Sequence, residues 1–437
     1  MSPLFVTAQE RTQKAVRFEI PAYIEELEAL RFRPRRITWH SEKTAHALEY
    51  ILSEFPPPPR SHPENQREAL EALICSLYDA WLNKRPLAVP LNWEAYAERI
   101  VRYTDSFWNY RTMKRVVDLT KRLGYVLVEK GFKNPETGEG YLTKLYCTQK
   151  LIDLFPMQYK AENKEVLLLK NTDGRPMDYE DNSFTRSKRA FICQWNRYIE
   201  GFEITLDGSP INPALYAVHS RGKWNLHGRF YGDYQNLPES DRERILIDGQ
   251  PTSEPDFSAM HLSMIYQLEG LAQPEGDHYL SVCLELGIPE NLQDTVRAAV
   301  KQLVNTCLNA KTHVAAIQSF YNELNRLRSS ILCRPEKRQR AIQIWEAMHS
   351  AGINAREILE AIQTVHEPVS NWLCSDAGIT LMFYDSEIMR SILSELMNRR
   401  IPGLPVHDSI RVPASHELEV EAIMRDSKDC YLRTLKA

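Results

Sequence analysis

Three short stretches in the carboxyl-terminal half carry side chains that could act together on one substrate. The first runs Glu254-Pro255-Asp256-Phe257-Ser258-Ala259-Met260-His261. It follows the strand-like Ile245-Leu246-Ile247 and leads into an apolar helical stretch through Tyr266 and Leu268. An aspartate at a strand end, opening a helix, can hold a metal ion, although a helix-capping aspartate has the same appearance. The second stretch is Asp294 to Asn309, where a spacing of four puts Arg297, Lys301, Asn305 and Asn309 on one helical stripe. Two cations one turn apart, continued by amides, could grip a triphosphate; a solvated helix face reads the same way. The third is Leu404-Pro405-Val406-His407-Asp408-Ser409-Ile410-Arg411-Val412, with His407 and Asp408 between two short apolar strands. A carboxylate in such a turn can face a second one across a sheet, and a divalent metal would relieve their repulsion.

In this order the three stretches resemble the motifs of family A DNA polymerases and phage-type single-subunit RNA polymerases. Asp256 matches the metal-binding Asp of their first palm motif, and Val406-His407-Asp408 matches the last. Arg297 and Lys301 match the phosphate-contacting pair of the fingers helix. Upstream, Gly228-Arg229-Phe230, Gln235-Asn236-Leu237-Pro238 and Arg244 look like the segment leading into the first motif. The resemblance covers about 220 to 415. It implies a nucleotidyltransferase using two Mg²⁺ or Mn²⁺ ions held by Asp256 and Asp408, acting on nucleoside triphosphates and a nucleic-acid strand. Arg297 and Lys301 would neutralise the leaving pyrophosphate, Lys301 as its proton donor, with Asn305 beside them. His407 would shape the turn, and Arg229, Gln235, Asn236 and His407 would lie near nucleic acid.

The departures concern sugar choice. His261 stands where DNA polymerases of this family carry a ribose-excluding Glu, and Asn309 where their fingers helix has a Tyr. Ser409 after the second Asp follows the RNA polymerase branch. Weak discrimination against ribonucleotides is therefore expected. Asp385 is a further candidate acid, although a helix cap or surface carboxylate suits its sequence better. The alternative function is a DNA-binding replication or regulatory protein whose polymerase-like half is silent.

The elements that would position these residues are α and β in mixed order. An N-terminal helical segment over 1–55 ends at the Pro-rich linker 56–64, whose four consecutive prolines cannot continue a helix. A basic cluster, Arg31 to Arg36, precedes it and reads as a solvated loop or a phosphate contact. Over 65–156 the spacing predicts helices at Asn65–Leu82, Trp93–Tyr103 and Tyr110–Leu123, then strands at 125–129 and 141–145 around a polar turn. Helix, helix and hairpin resemble a winged helix-turn-helix, which implies that Arg111, Lys114 and Arg115 meet DNA phosphates. Residues 157–212 read as a connecting or thumb-like segment, and 213–437 as a compact right-hand palm and fingers. The fold expected is α+β.

Lys and Arg number 54 against 58 Asp and Glu, so the charge of −4 excludes a polybasic coat or an acidic tail but leaves room for a local basic face. Eight scattered cysteines form no CxxC pair, which argues against zinc ribbons and redox dithiols of that type. Neither a signal-peptide core nor an apolar run of membrane-spanning length stands out, so a cytoplasmic protein with no membrane partner is expected.

Overall fold

Apolar residues recur with both helical and strand periods along the chain, and the computed structural model is accordingly a mixed α+β protein. It describes residues 20–25, 28–39, 41–56, 63–97, 99–133, 140–155, 157, 159–329 and 335–436, in two units, Met1–Lys164 and Glu165–Ala437. Among the described residues no helix is long and apolar enough to cross a membrane.

In the first unit the elements are β1 (Leu30–Arg31), β2 (Arg36–Trp39), α1 (Glu42–Ser53), α2 (Pro63–Leu82), β3 (Leu87–Val89), α3 (Glu94–Ala97), α4 (Tyr110–Arg122), β4 (Val126–Glu129), β5 (Phe132–Lys133), β6 (Gly140–Tyr141), β7 (Thr143–Cys147), α5 (Gln149–Ile152) and β8 (Tyr159–Glu162). The sheet order is β1-β3-β7-β4, with β7 antiparallel to both β3 and β4. Met113, Val116 and Val117 recur at helical spacing on α4 and pack with Leu70, Leu73 and Leu77 of α2 against Leu87, Val126 and Leu145 of the sheet. Asn109 caps α4 by accepting the Thr112 N–H at 2.9 Å.

Three expectations need correction here. Among its described residues the segment expected to be helical over 1–55 carries β1 and β2, paired with β3 and β8, as well as α1. The helix expected over 93–103 stops at Ala97; beyond it a turn closes from Tyr103 N to Ile100 O at 3.1 Å, and Arg36 fastens Asp105 through two 2.8 Å hydrogen bonds. The basic cluster is not a free loop: Arg35 is buried against Asp79 at 2.5 Å, and Arg36 belongs to Asp105. Residues 57–62 of the Pro-rich linker and 134–139 of the polar turn lie outside the described residues.

The second unit holds β9 (Leu167–Leu169), α6 (Ser183–Ile199), β10 (Ile204–Leu206), β11 (Ser209–Pro210), β12 (Tyr216–Ser220), β13 (Lys223–Tyr231), α7 (Glu239–Arg242), β14 (Ile245–Ile247), β15 (Gln250–Ser253), α8 (Met260–Glu269), α9 (His278–Glu285), α10 (Glu290–Asn309), α11 (His313–Ser329), α12 (Pro335–Ser350), α13 (Ala355–Val365), α14 (Gly378–Arg399), β16 (Leu404–Val406), β17 (Ser409–Pro413) and α15 (Glu417–Thr434). Six antiparallel strands form one sheet, β11-β10-β14-β15-β17-β16, and β13-β12-β9 form a second. Residues 157–212, read from sequence as a connection, are divided between the units. β8 pairs with β2 in the first, whereas α6 carries Ile192, Trp195 and Ile199 into the core of the second. On α10, Val296, Val300, Leu303 and Cys307 face that core, which leaves the opposite stripe to solvent.

Candidate active site

Strand β15 pairs antiparallel with β17, and the same register carries on past Ser253 to a backbone bridge between Asp256 and Ser409. Ile410 N–H donates to Pro255 O at 3.1 Å beside it. β17 follows β16 through the two-residue loop His407-Asp408. Paired residues of antiparallel strands hold their Cα atoms within about 5.5 Å, and Asp408 is one residue further on. The two aspartates are close along the backbone.

Both are delivered by strained backbone. His407 has φ 59°, a sign usually left to glycine at the first position of a two-residue hairpin loop. Ala259, between Asp256 and α8, has φ 45°. Each left-handed non-glycine residue costs about 1–2 kcal/mol, and such strain collects where function requires it.

The nearby acids differ in their partners. Glu254 accepts from Arg411 Nη2 at 2.6 Å and from Arg242 Nε at 3.2 Å. Burial alone would raise its pKa, but Arg242, Ser409 and Arg411 together hold it below the ordinary carboxylate value. Asp385 Oδ2 accepts from Arg229 Nε at 3.0 Å and lies 3.1 Å from His261 Nε2. Asp256 and Asp408 have no hydrogen bond or ion pair from their carboxylates among the described residues. Asp256 is exposed and Asp408 half-buried. Carboxylates brought close together repel each other, and a hard divalent cation offsets that; Arg229 is the cation whose pKa Asp408 helps to raise. Mg²⁺ commonly takes one or two protein carboxylates and completes its shell with water and substrate phosphate, so this donor set fits it. Among the described residues no cage of three or more His, Cys, Asp and Glu side chains forms.

Behind the aspartates sits a pair that sequence reasoning misjudged. The register between β12 and β13 shifts after His219↔His227, where His227 and Gly228 are both left-handed, at φ 69° and 76°. A Cβ on Gly228 would stand 2.7 Å from Ser386 Oγ, so glycine lets β13 press directly on α14. The bulge re-aims the next residue, Arg229, into Asp385. Asp385 is 3% exposed, which corrects its reading as a cap or surface carboxylate. Its helix packs along β13 on one side and α15 on another, so position 385 faces inward. Arg229 is half-buried and engaged by Asp385, and His261 is oriented by the same carboxylate. His407 is exposed as a residue, yet desolvation of its ring, then Arg229, lower its pKa against the opposing pull of Asp408. The imidazole is neutral at pH 7.

The cationic stripe of α10 is only partly free. Asp277, the cap of α9, accepts Tyr279 N–H at 2.8 Å and Leu280 N–H at 2.9 Å on one oxygen. Its other oxygen accepts Arg297 Nε at 2.9 Å and Nη2 at 2.5 Å. The guanidinium also lies 5.5 Å over the Tyr279 ring. Burial pushes the Tyr279 phenol up to about 12, and Asp408 acts in the same sense, which places this cluster within the field of Asp408. Lys301 is exposed, with no partner among the described residues, and Asn305 is exposed beside it. Asn309 donates to Asn305 O at 2.8 Å and lies so close to Gly378 that a Cβ there would meet its Oδ1 at 2.5 Å.

Other expected contacts have structural duties. Gln235 donates to Pro405 O at 2.7 Å and Asn236 to Asp233 O at 3.1 Å. On α4, Arg111 is exposed and Lys114 pairs with Asp118 at 2.7 Å. Arg115 corrects the expected three-residue phosphate face: it donates to Gln66 Oε1 at 2.8 Å and Pro56 O at 2.9 Å, tying α4 to the start of α2. In the sequence, only the place of Asp385 on the helix ahead of the His407-Asp408 hairpin hinted at the buried acid, and nothing hinted at Asp277. No protein-family model matches this chain, and a search of the curated proteins finds no match.

Proposed function

We propose that the second unit is a family A-like palm and fingers that adds nucleotides to a nucleic-acid strand, and that the first is a winged helix-turn-helix that holds DNA. The observation that carries the catalytic reading is the pairing of Asp256 with the Ser409 backbone, which brings two aspartates with no hydrogen-bonded or ion-paired carboxylate close along the backbone at a strained turn. These two residues would hold Mg²⁺, which when bound activates the primer hydroxyl and neutralises the triphosphate. Lys301 binds the triphosphate as a point charge, and Arg297 joins it by leaving Asp277. Asp385 fixes Arg229 and His261 behind the aspartates, and neutral His407 shapes the turn without adding charge.

Support for the winged-helix reading comes from the succession α2, β3, α3, α4, β4, β7 and the order β3-β7-β4. It gives α4 one buried face and one solvated face bearing Arg111, Lys114, Lys121 and Arg122. A second reading, a DNA-binding protein with a silent core, is favoured by the engagement of Arg297 with Asp277 and of His261 with Asp385.

The test is extension of a labelled primer–template in Mg²⁺ with all dNTPs or all NTPs. Asp256→Asn and Asp408→Asn should each lower incorporation about 10³-fold, since metal stabilisation of the transition state is worth several kcal/mol. Duplex affinity and melting should stay unchanged. Incorporation at the unmodified rate in either variant would remove the two-metal reading. No incorporation by the unmodified protein with either nucleotide set would leave the silent reading standing.

A further inference from the structure

Outside the aspartate cluster, two cysteines sit together where the last turn of α10 meets the loop leading into α14. Cys374 N–H donates to Cys307 O at 2.8 Å, and Asp376 N–H donates to Ala310 O at 2.9 Å, so the loop is laced onto the helix end. The loop residues Cys374 and Asp376 are both left-handed, with φ 56° and 61°. A backbone hydrogen bond of this kind sets two Cα atoms about 5–6 Å apart, inside the range that a disulfide spans. Each thiol is near enough to shift the other's pKa, Cys374 raising that of Cys307 and Cys307 lowering that of Cys374. Cys307 is buried, Cys374 is half-buried and meets solvent, and both are free thiols.

We propose that Cys307 and Cys374 are a modification site: a reversible disulfide that clamps the end of α10 to the lead-in of α14. A hydroperoxide is the oxidant. The Cys374 thiolate attacks the O–O bond and becomes a sulfenic acid, releasing water once protons are balanced. The Cys307 sulfur then displaces the sulfenic oxygen as a second water and forms the S–S bond. Two thiols lose two electrons and two protons, and one hydrogen peroxide becomes two waters. Burial holds both thiols above their usual pKa, although the Cys307 thiol pulls Cys374 back down. The thiolate is therefore scarce at neutral pH, and the reaction should quicken as pH rises.

The bond would join the helix of Arg297 and Lys301 to that of Asp385, closing a loop that contains α11, α12 and α13. The experiment needs no catalytic activity. Exposed Cys193 and Cys430, together with Cys333, which lies outside the described residues, are first changed to Ser, so that competing oxidation at these positions is removed. This background is treated with hydrogen peroxide at pH 8, denatured in alkylating reagent and digested without reduction. Expected is a linked pair of peptides containing Cys307 and Cys374, two hydrogens lighter than the free pair and separated by dithiothreitol. Melting should shift upward, because the cross-link restricts the unfolded chain. Adding Cys374→Ala should abolish both effects. Recovery of both residues as alkylated thiols, or of Cys374 as sulfinic acid with Cys307 free, would overturn the proposal. The digest of the background protein alone decides this, whether or not the Cys374→Ala variant folds.

Discussion

Replacing Asp385 with Asn tests whether the buried pair positions the site or only stabilises the fold. The substitution keeps the shape of the side chain and removes its charge, leaving Arg229 without a counter-charge at 16% side-chain exposure. Breaking one side of a buried ion pair costs about 3–5 kcal/mol, and the remaining solvent access of Arg229 puts the expected loss near the lower figure, ~3 kcal/mol. The two units need not unfold together, so a single melting temperature is a poor gauge. Amide exchange read on peptides from β13 and α14 reports the local opening energy directly. Protection there should fall about 100-fold, since each factor of ten is about 1.4 kcal/mol. Peptides from α4 should be untouched. Arg229→Met combined with Asp385→Leu should restore most of the protection, because an apolar pair carries no desolvation cost. It should not restore nucleotide incorporation, because His261 would have lost the acid that orients it. Less than a threefold change in the single variant, or recovered incorporation in the double variant, would refute the positioning role.

Two further outcomes follow from the same geometry. On α4, neutralising Arg111 and Lys114 should make the salt dependence of duplex binding shallower by about 1.8, whereas Arg115→Gln should leave the slope alone and destabilise the first unit, since Arg115 is occupied by Gln66 and Pro56. Burial depresses His219, to about 3, and also His278 and His366, so each folds as the neutral base. Their stability contribution is complete above about pH 6.5 and is lost as pH falls toward each folded pKa, at about 1.4 kcal/mol per unit for each residue. Urea unfolding of the second unit between pH 7.5 and 5 should follow that sign, and His366→Gln should flatten part of it; a pH-independent midpoint would contradict it.

The sequence was legible wherever periodicity and local chemistry decide the outcome. α10 shows its apolar face at Val296, Val300, Leu303 and Cys307, so its solvated stripe could be written down without coordinates. The hairpin around His407-Asp408 is equally local. Partner choice was not legible, because it depends on contacts across many residues. Asp385 and Arg229 lie far apart in the chain, and only the bulge at His227-Gly228 brings them together. Lys188 stands in a run that interleaves basic and aromatic residues, from Arg186 to Tyr198. In the fold it is 2% exposed, 2.6 Å from Glu387 and 4.6 Å over the Phe230 ring. Arg115 and Arg35 failed as surface cations for the same reason: composition records a charge but not the carboxylate or carbonyl that occupies it.

The way α14 is held gives those hidden pairs a common purpose. Consecutive residues of β13 meet two buried acids on this helix: Arg229 meets Asp385, and Phe230 lies beneath the Lys188 that binds Glu387. Buried charges are costly to mismatch, so rotating α14 by one residue would strand both acids in the core. Apolar contacts alone would tolerate such slippage, since Leu, Ile and Met substitute for one another with little loss. The two ion pairs thus fix the helix against β13, and through Gln235 and Tyr234, which both donate to Pro405 O, that strand's end is tied to β16. β16 leads directly into His407-Asp408. The position of Asp408 is consequently set by buried polar contacts as well as by hairpin geometry, which is how a two-residue loop with a strained histidine can hold a carboxylate at one place beside Asp256.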